Sequence, residues 1–224
     1  MHALVLDVTV ASGPRRRARL AGTLGHGELA VVRAEPADGA ALARAMAVET
    51  PPGGQVVVGG TDVAALPPDE RKIGYVPAGG ALFPHLTLRR NIAYGLRGRP
   101  IAERFAGRRL DQASDRLALT PLLDLHPHEV TEDERLRAAL ARAAVQLPEV
   151  LVVDLPEALV DDGSGVRIKP VRLADLARAA SLSESFDVAT LVYSSDPLAL
   201  AQVQVPLEVE VTLDPAPQRA TAGR

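Results

Sequence analysis

Acids and hydroxyls fall at three points of this chain where they could meet a phosphate or a cation. Asp154 ends the apolar run Val150-Leu151-Val152-Val153, the pattern of a buried parallel strand with a carboxylate at its exit, and Asp161 is a second acid shortly after it. Thr131-Glu132-Asp133-Glu134 precedes an Ala- and Leu-rich stretch, where Thr131 and Glu134 have the [ST]-x-x-E spacing of a capping box. Glu35 and Asp38 lie where a strand turns into a helix, and carboxylates there satisfy the helix dipole that an anion would otherwise use. His126 and His128 stand two apart, with His85 remote; a metal site needs more ligands at suitable spacing, so no metal centre is expected. Gly13-Pro14-Arg15-Arg16-Arg17 is a basic turn, expected to be a solvated hairpin tip rather than a nucleic-acid contact.

The elements that would position these residues follow from periodicity. Ala3 to Val10 alternates as a strand, and Arg19 to Leu24 is expected to return antiparallel to it. Gly27 to Val32 has the composition of a buried strand and Ala40 to Val48 that of a helix, with the acidic interval from Arg33 between them. Gln55 to Val58 and Ile73 to Val76 are strands, and a helix begins near Thr87 after the loop Pro77 to Leu86. Leu110 to Leu119 and Leu122 to Leu125 are expected helices, and Arg135 to Val145 a further one. Val188 to Tyr193 is a core strand, and Val203 to Leu213 a strand pair interrupted at Pro206. Helices are expected at 172–180 and 198–202, and a polar, frayed tail at 214–224.

Composition sets the bounds. The 224 residues suffice for one sizeable core with a smaller subdomain, and 47% hydrophobic with 24% charged residues is ordinary for a globular chain. A formal charge of −3 gives no pull toward nucleic acid, and the absence of cysteine excludes disulfides and thiolate metal sites. No apolar run approaches the roughly 20 residues that span a bilayer. The expected location is cytoplasmic, peripheral at the inner face of the membrane through a partner, with no direct insertion. Only two lysines occur, Lys72 and Lys169.

The stretch from Arg71 to Arg97, RKIGYVPAGGALFPHLTLRRNIAYGLR, resembles the segment of importer-type ABC transporter ATP-binding subunits that links the ATPase core to the helical subdomain. The preceding run to Arg71 has the spacing G-x-V-x-x-x-G-x-D-V-x-x-L-P-P-x-E-R of the same subunits. The resemblance implies an α/β, P-loop NTPase-like fold: a mainly parallel sheet with an antiparallel N-terminal β edge and an inserted helical subdomain. It divides the chain into an ATPase-like core at 1–85 and 146–213 and a helical subdomain at 86–145. It further implies ATP and magnesium as ligands of the family. Its implied partners are a transmembrane permease docking at Phe83, Pro84, His85 and Leu86, and a second ATP-binding subunit.

Against that pattern the chemistry-bearing positions differ. Register with the flanking elements puts Gly39 at the phosphate-binding lysine of G-x-x-x-x-G-K-[ST], and Ala40 and Ala41 at the hydroxyl. Ala78 replaces the glutamine that contacts magnesium and water, Leu155 the catalytic glutamate, and Ser195 the histidine on the γ-phosphate. Thr131 is the nearest counterpart of the signature serine, and Asp154 and Asp161 are remnants of the family's acids. No aromatic residue precedes Tyr75 to stack on adenine. The expectation is a pseudo-ATPase, with no catalytic residue intact, no bound cofactor and a retained permease-docking surface. The alternatives are an active ATP-hydrolysing importer subunit, and a soluble scaffold or regulator without a transporter.

Overall fold

The computed structural model describes residues 2–49, 54–97, 103–154, 159–161, 166–168, 183–184, 186–194 and 205–213. The chain opens with two antiparallel strands, β1 (Leu4–Gly13) and β2 (Arg16–Leu24), joined by a tight turn. Alternation buries Leu4, Leu6, Val8 and Val10 on one face of β1, as a sheet covered on one side requires. β3 (Leu29–Arg33) and α1 (Pro36–Ala47) follow, then β4 (Gly54–Val58), the short β5 (Thr61–Asp62) and β6 (Ile73–Val76). Three helices come next: α2 (Leu88–Tyr94), α3 (Glu103–Arg116) and α4 (Glu132–Ala144). β7 (Val150–Asp154), β8 (Leu159–Asp161), β9 (Val166–Ile168), β10 (Ala189–Ser194), β11 (Val205–Glu208) and β12 (Glu210–Leu213) complete the described elements.

The class is α/β. One sheet has the order β11-β3-β10-β7-β6 with every pairing parallel. Its strands are near-continuous apolar runs because both faces are covered. Val150 and Val152 join Ala189, Leu191 and Tyr193 in the cluster around α1, while Leu151, Val153 and Val192 turn to the opposite cluster with α2, α3 and α4. The N-terminal strands make a second sheet of their own, β12-β2-β1-β4-β5, rather than an edge on the parallel one. α1 lies between the two sheets, touching β1 and β2 on one side and β6, β7 and β10 on the other.

α1 has no glycine to end it, and a buried arginine takes that role. Arg71, 1% exposed, donates through Nη1 to the carbonyls of Met46 (2.9 Å) and Glu49 (2.7 Å) and through Nε to that of Leu66 (2.8 Å). The last carbonyls of a helix have no partner within it, and a guanidinium supplies several donors at once. Burial pushes the Arg71 pKa down from its ordinary value.

Several expectations need correction. The break expected at Pro206 is not there: Pro206 lies inside β11, an edge strand of the parallel sheet among the described residues, a position where proline is tolerated. The break falls at Val209, and β11 and β12 belong to different sheets. The helix expected from Leu110 begins at Glu103, and in place of a helix at Leu122 to Leu125 there is a single 3-10 turn at Thr120–Leu122 that ends at Leu122. β8 and β9 form a small antiparallel hairpin, pairing Asp161 with Val166, that the residue pattern did not announce. The helices expected at 172–180 and 198–202 and the tail at 214–224 lie outside the described residues.

Candidate functional site

The junction between β3 and α1 is only Ala34 and Glu35, because Pro36 already occupies the first helical position. Proline there is pre-organised for a helix, and its missing N–H is one the first turn cannot use anyway. The Gly39 N–H accordingly donates to the Glu35 carbonyl at 2.9 Å, an ordinary helical bond. The helix expected from Ala40 thus starts four residues earlier, and Gly39, Ala40 and Ala41 stand inside it. Gly39 is buried: a Cβ at that position would meet Tyr193 at 3.4 Å and Ala34 at 3.5 Å.

The acids of this junction do not cap the helix, contrary to expectation. Glu35 is the N-cap residue but makes no side-chain cap bond, and it is exposed. Asp38 turns aside to Arg16 on β2, which donates from Nε to Oδ1 at 2.9 Å and from Nη2 to Oδ2 at 2.5 Å. The guanidinium offers this carboxylate two parallel N–H donors and a full positive charge, where the helix end offers single N–H groups. The Asp38 side chain is 1% exposed and Arg16 37%, so the basic turn is not a solvated tip at this residue. The Arg16 hydrogen bonds hold the Asp38 carboxyl below its usual range, against the opposing effect of burial.

At the exit of β7, Asp154 is half-buried, and burial pushes its pKa up, with the positive charge of Arg44 on α1 pulling the other way. Tyr75 on β6 is pushed up to about 12 by burial first and then by the Asp154 charge. Tyr193 on β10 is buried with its hydroxyl donating to the Met46 sulfur at 3.2 Å, and burial raises its pKa further. Two tyrosines and one acid thus come close together at this end of the parallel strands.

From Pro77 the chain crosses to α2 through a strained segment. Gly79, Gly80 and Ala81 have successive φ values of 72°, 75° and 42°, in the left-handed region that a side chain disfavours. A Cβ on Gly80 would come within 2.9 Å of Ala139 on α4, so close packing as well as φ requires glycine. Arg142 of α4 donates to the carbonyls of Gly80 (2.7 Å) and Ala81 (2.8 Å). Asn91 of α2, wholly buried, accepts from the Phe83 N–H at 2.8 Å and donates to the carbonyls of Phe83 (3.1 Å), Leu86 (3.0 Å) and Thr87 (3.1 Å). Phe83 and Leu86 are half-buried, while Pro84 and His85 are exposed. The Phe83 ring packs on Tyr94 with centroids 4.5 Å apart and meets His85 edge-on at 6.1 Å.

The ABC transporter family model matches residues 40–158. The chain belongs to the ABC transporter family. This ABC-family chain is 39% identical to the molybdate/tungstate import ATP-binding protein WtpC of Archaeoglobus fulgidus, over 68% of its length and 60% of that protein's. It is 34% identical to the sn-glycerol-3-phosphate import ATP-binding protein UgpC 3 of Rhizobium etli, over 72% of this chain and 49% of that protein. With the Fe(3+) ions import ATP-binding protein FbpC of Yersinia pestis the identity is 31%, over 88% of this chain and 55% of that one. The chain thus spans about half to three-fifths of these relatives. In fold it is similar to CbiO1 of Clostridium perfringens, part of the ABC transporter complex cbiONQ, with a TM-score of 0.65 and 16% identity over 93% of this chain and 87% of that one.

Within this ABC-family chain Gly39 and Asp154 both lie beside Tyr193, while Thr131 stands at the start of α4. Thr131 caps α4: its Oγ1 accepts the Glu134 N–H at 3.3 Å, and its own N–H donates to Glu134 Oε2 at 2.8 Å, completing the capping box read from the sequence. It stands eleven residues, about 16 Å of helix, from Arg142. Ala78 is exposed at the start of the strained segment. Leu155 and Ser195 lie outside the described residues, and of Asp161 only the backbone is described. His126 stays a loop residue, its Nδ1 3.1 Å from Glu129 Oε2, and no group of metal-binding side chains occurs among the described residues. No helix among them is long and apolar enough to cross a membrane. Asn91, Arg142 and Arg71 went unnoticed in the sequence, and Arg16 was read only as part of a basic turn; of the first three, Asn91, a lone polar residue beside apolar Leu88 and Ile92, left a signal there.

Proposed function

We propose that this chain is a pseudo-ATPase: an ABC importer subunit that associates with a transmembrane permease through Phe83, Pro84, His85 and Leu86 without binding or hydrolysing ATP. The observation that carries this reading is the two-residue link from β3 to α1, with Gly39 packed against Tyr193 where a lysine would have to reach phosphate. A phosphate cradle needs a loop of free N–H groups, and here Pro36 removes one while Gly39 spends its own inside the helix. The charge of Asp38 adds repulsion, and the cation nearest to it, Arg16, is already engaged. The residues present do not fit magnesium and a triphosphate, and no step of hydrolysis is routed through them.

The names of the relatives support the importer context, and a location at the inner membrane face through the permease follows from that role. A second, intact ATP-binding subunit would supply the hydrolysis. A ligand that binds the native state raises its melting temperature by mass action, so thermal unfolding with millimolar Mg-ATP tests the reading. No shift is expected; a clear rise overturns it.

A further inference from the structure

The formal charge of this chain is weakly negative, yet its positive charge is unevenly placed. Between Arg89 and Arg109 the sequence carries seven arginines and a single acid, Glu103, in a chain whose total is −3, so the remainder is correspondingly acidic. The stretch belongs to α2 and α3, which pack on each other and on α4 through their apolar sides: Leu88 and Ile92 of α2 and Leu110 and Ala113 of α3 are buried in one cluster. What the two helices leave outward is basic. On α2 Arg89, Arg90 and Tyr94 are exposed, followed by Arg97, whose guanidinium lies 5.4 Å from the centre of the Tyr94 ring. On α3 Phe105, Arg108, Gln112 and Arg116 recur at the three- and four-residue spacing of one helix face, with Asp111 and Asp115 along its margin. Arg89 is loosely tied, 3.7 Å from the exposed Asp124, while Arg90, Arg108 and Arg109 make no ion pair with the described residues. Tyr94 and Phe105, 41% and 45% exposed, are the exposed aromatic rings among the described residues, and both fall within this stretch.

We propose that the outer face of α2 and α3 binds the phosphate headgroups of an anionic lipid bilayer. Charge complementarity selects a surface dense in phosphate, and the two rings narrow the choice. An anionic leaflet offers phosphates to the guanidinium groups and, directly beneath them, an interfacial layer that accepts tyrosine and phenylalanine rings. A nucleic-acid duplex presents phosphates too, but no apolar layer for rings carried on separate helices. Arginine suits headgroups because its planar fork meets two phosphate oxygens at once. The acidity of the remaining chain makes the face an orienting one: the helices are drawn toward the leaflet while the remainder is repelled from it. The contact is peripheral and needs no permease, so it stands apart from the docking role proposed above.

Flotation of the full chain with vesicles tests this, using phosphatidylcholine alone and phosphatidylcholine with about a third phosphatidylglycerol. The protein is expected to float with the anionic vesicles in low salt and to stay behind with the neutral ones. Release is expected as salt rises to about 0.5 M, where screening cuts the reach of the charges to a few ångströms. Arg90→Gln with Arg108→Gln should weaken binding to the anionic vesicles about thirtyfold, five- to sixfold for each charge. Arg19→Gln with Lys72→Gln removes the same total charge elsewhere and should change binding less than about twofold. The chain has no tryptophan, so Phe105→Trp places a single reporter on α3, and its emission should shift to the blue with anionic vesicles only. No flotation in low salt, equal binding to neutral vesicles, equal losses in the two double variants, or an emission unmoved by vesicles that bind the protein would overturn the proposal. A preference for duplex DNA over vesicles at equal phosphate would overturn it in favour of nucleic acid. Self-association without lipid that Arg90→Gln with Arg108→Gln abolishes would overturn it in favour of the acidic surface of a second copy.

Discussion

Asp38 shows how much one side chain decides. Its carboxylate is shielded from water while its partner Arg16 is more than a third exposed, so solvent takes back part of the attraction. Asp38→Asn keeps the shape and removes the charge, and should cost about 2 kcal/mol in urea unfolding at neutral pH. Because Arg16 lowers the folded-state pKa of Asp38, this contribution is complete above the ordinary Asp value of about 3.9 and is lost as the pH falls below it through the lowered value. The gap between wild type and variant should therefore close in acid; a gap that persists there would refute the ion pair as its source. Gly39→Lys makes the complementary point. The first carbon of a lysine there would already touch the Tyr193 ring at 3.4 Å and the rest of the chain enters a buried place, so the variant should melt lower, by about 1 to 3 kcal/mol of overpacking, and gain no stabilisation from Mg-ATP in a thermal scan.

At the scale of elements, α1 depends on Arg71 more than on its own sequence. Arg71→Met fills similar volume but abandons buried carbonyls at the helix end, and should cost at least about 3 kcal/mol by urea or thermal unfolding. Legibility divides along the same line of local against distant causes. Strand alternation in β1, the apolar run of β7 and the capping box of α4 were all readable, because each is written within a few residues. The start of α1 was missed although Pro36 is a local start signal, because alignment to a phosphate loop overrode it. Arg16, Arg71 and Arg142 make bonds across distant parts of the chain, where no spacing rule reaches, and Asn91, though it bonds within eight residues, does so through a side chain whose partners are backbone groups of an irregular loop.

For the molecule as a whole, the deciding strand is the last one described. β11 runs parallel along β3, and β12, one residue later, runs antiparallel along β2, so both sheets are completed by one stretch of chain. A chain ending at Gln204 would leave β3 and β2 as open edges, which invite pairing with other molecules. Size-exclusion chromatography should show it as higher-order species at micromolar concentration; a monodisperse monomer would contradict the role assigned to β11 and β12. The two-residue form of the β3–α1 junction was not legible in the sequence, because it follows from a helix held between two layers. The crossover at Val209 also has a mechanical side. Tension applied to the end of β12 bears on both layers together, so under load the layers are expected to part in one rupture rather than peel away one after the other.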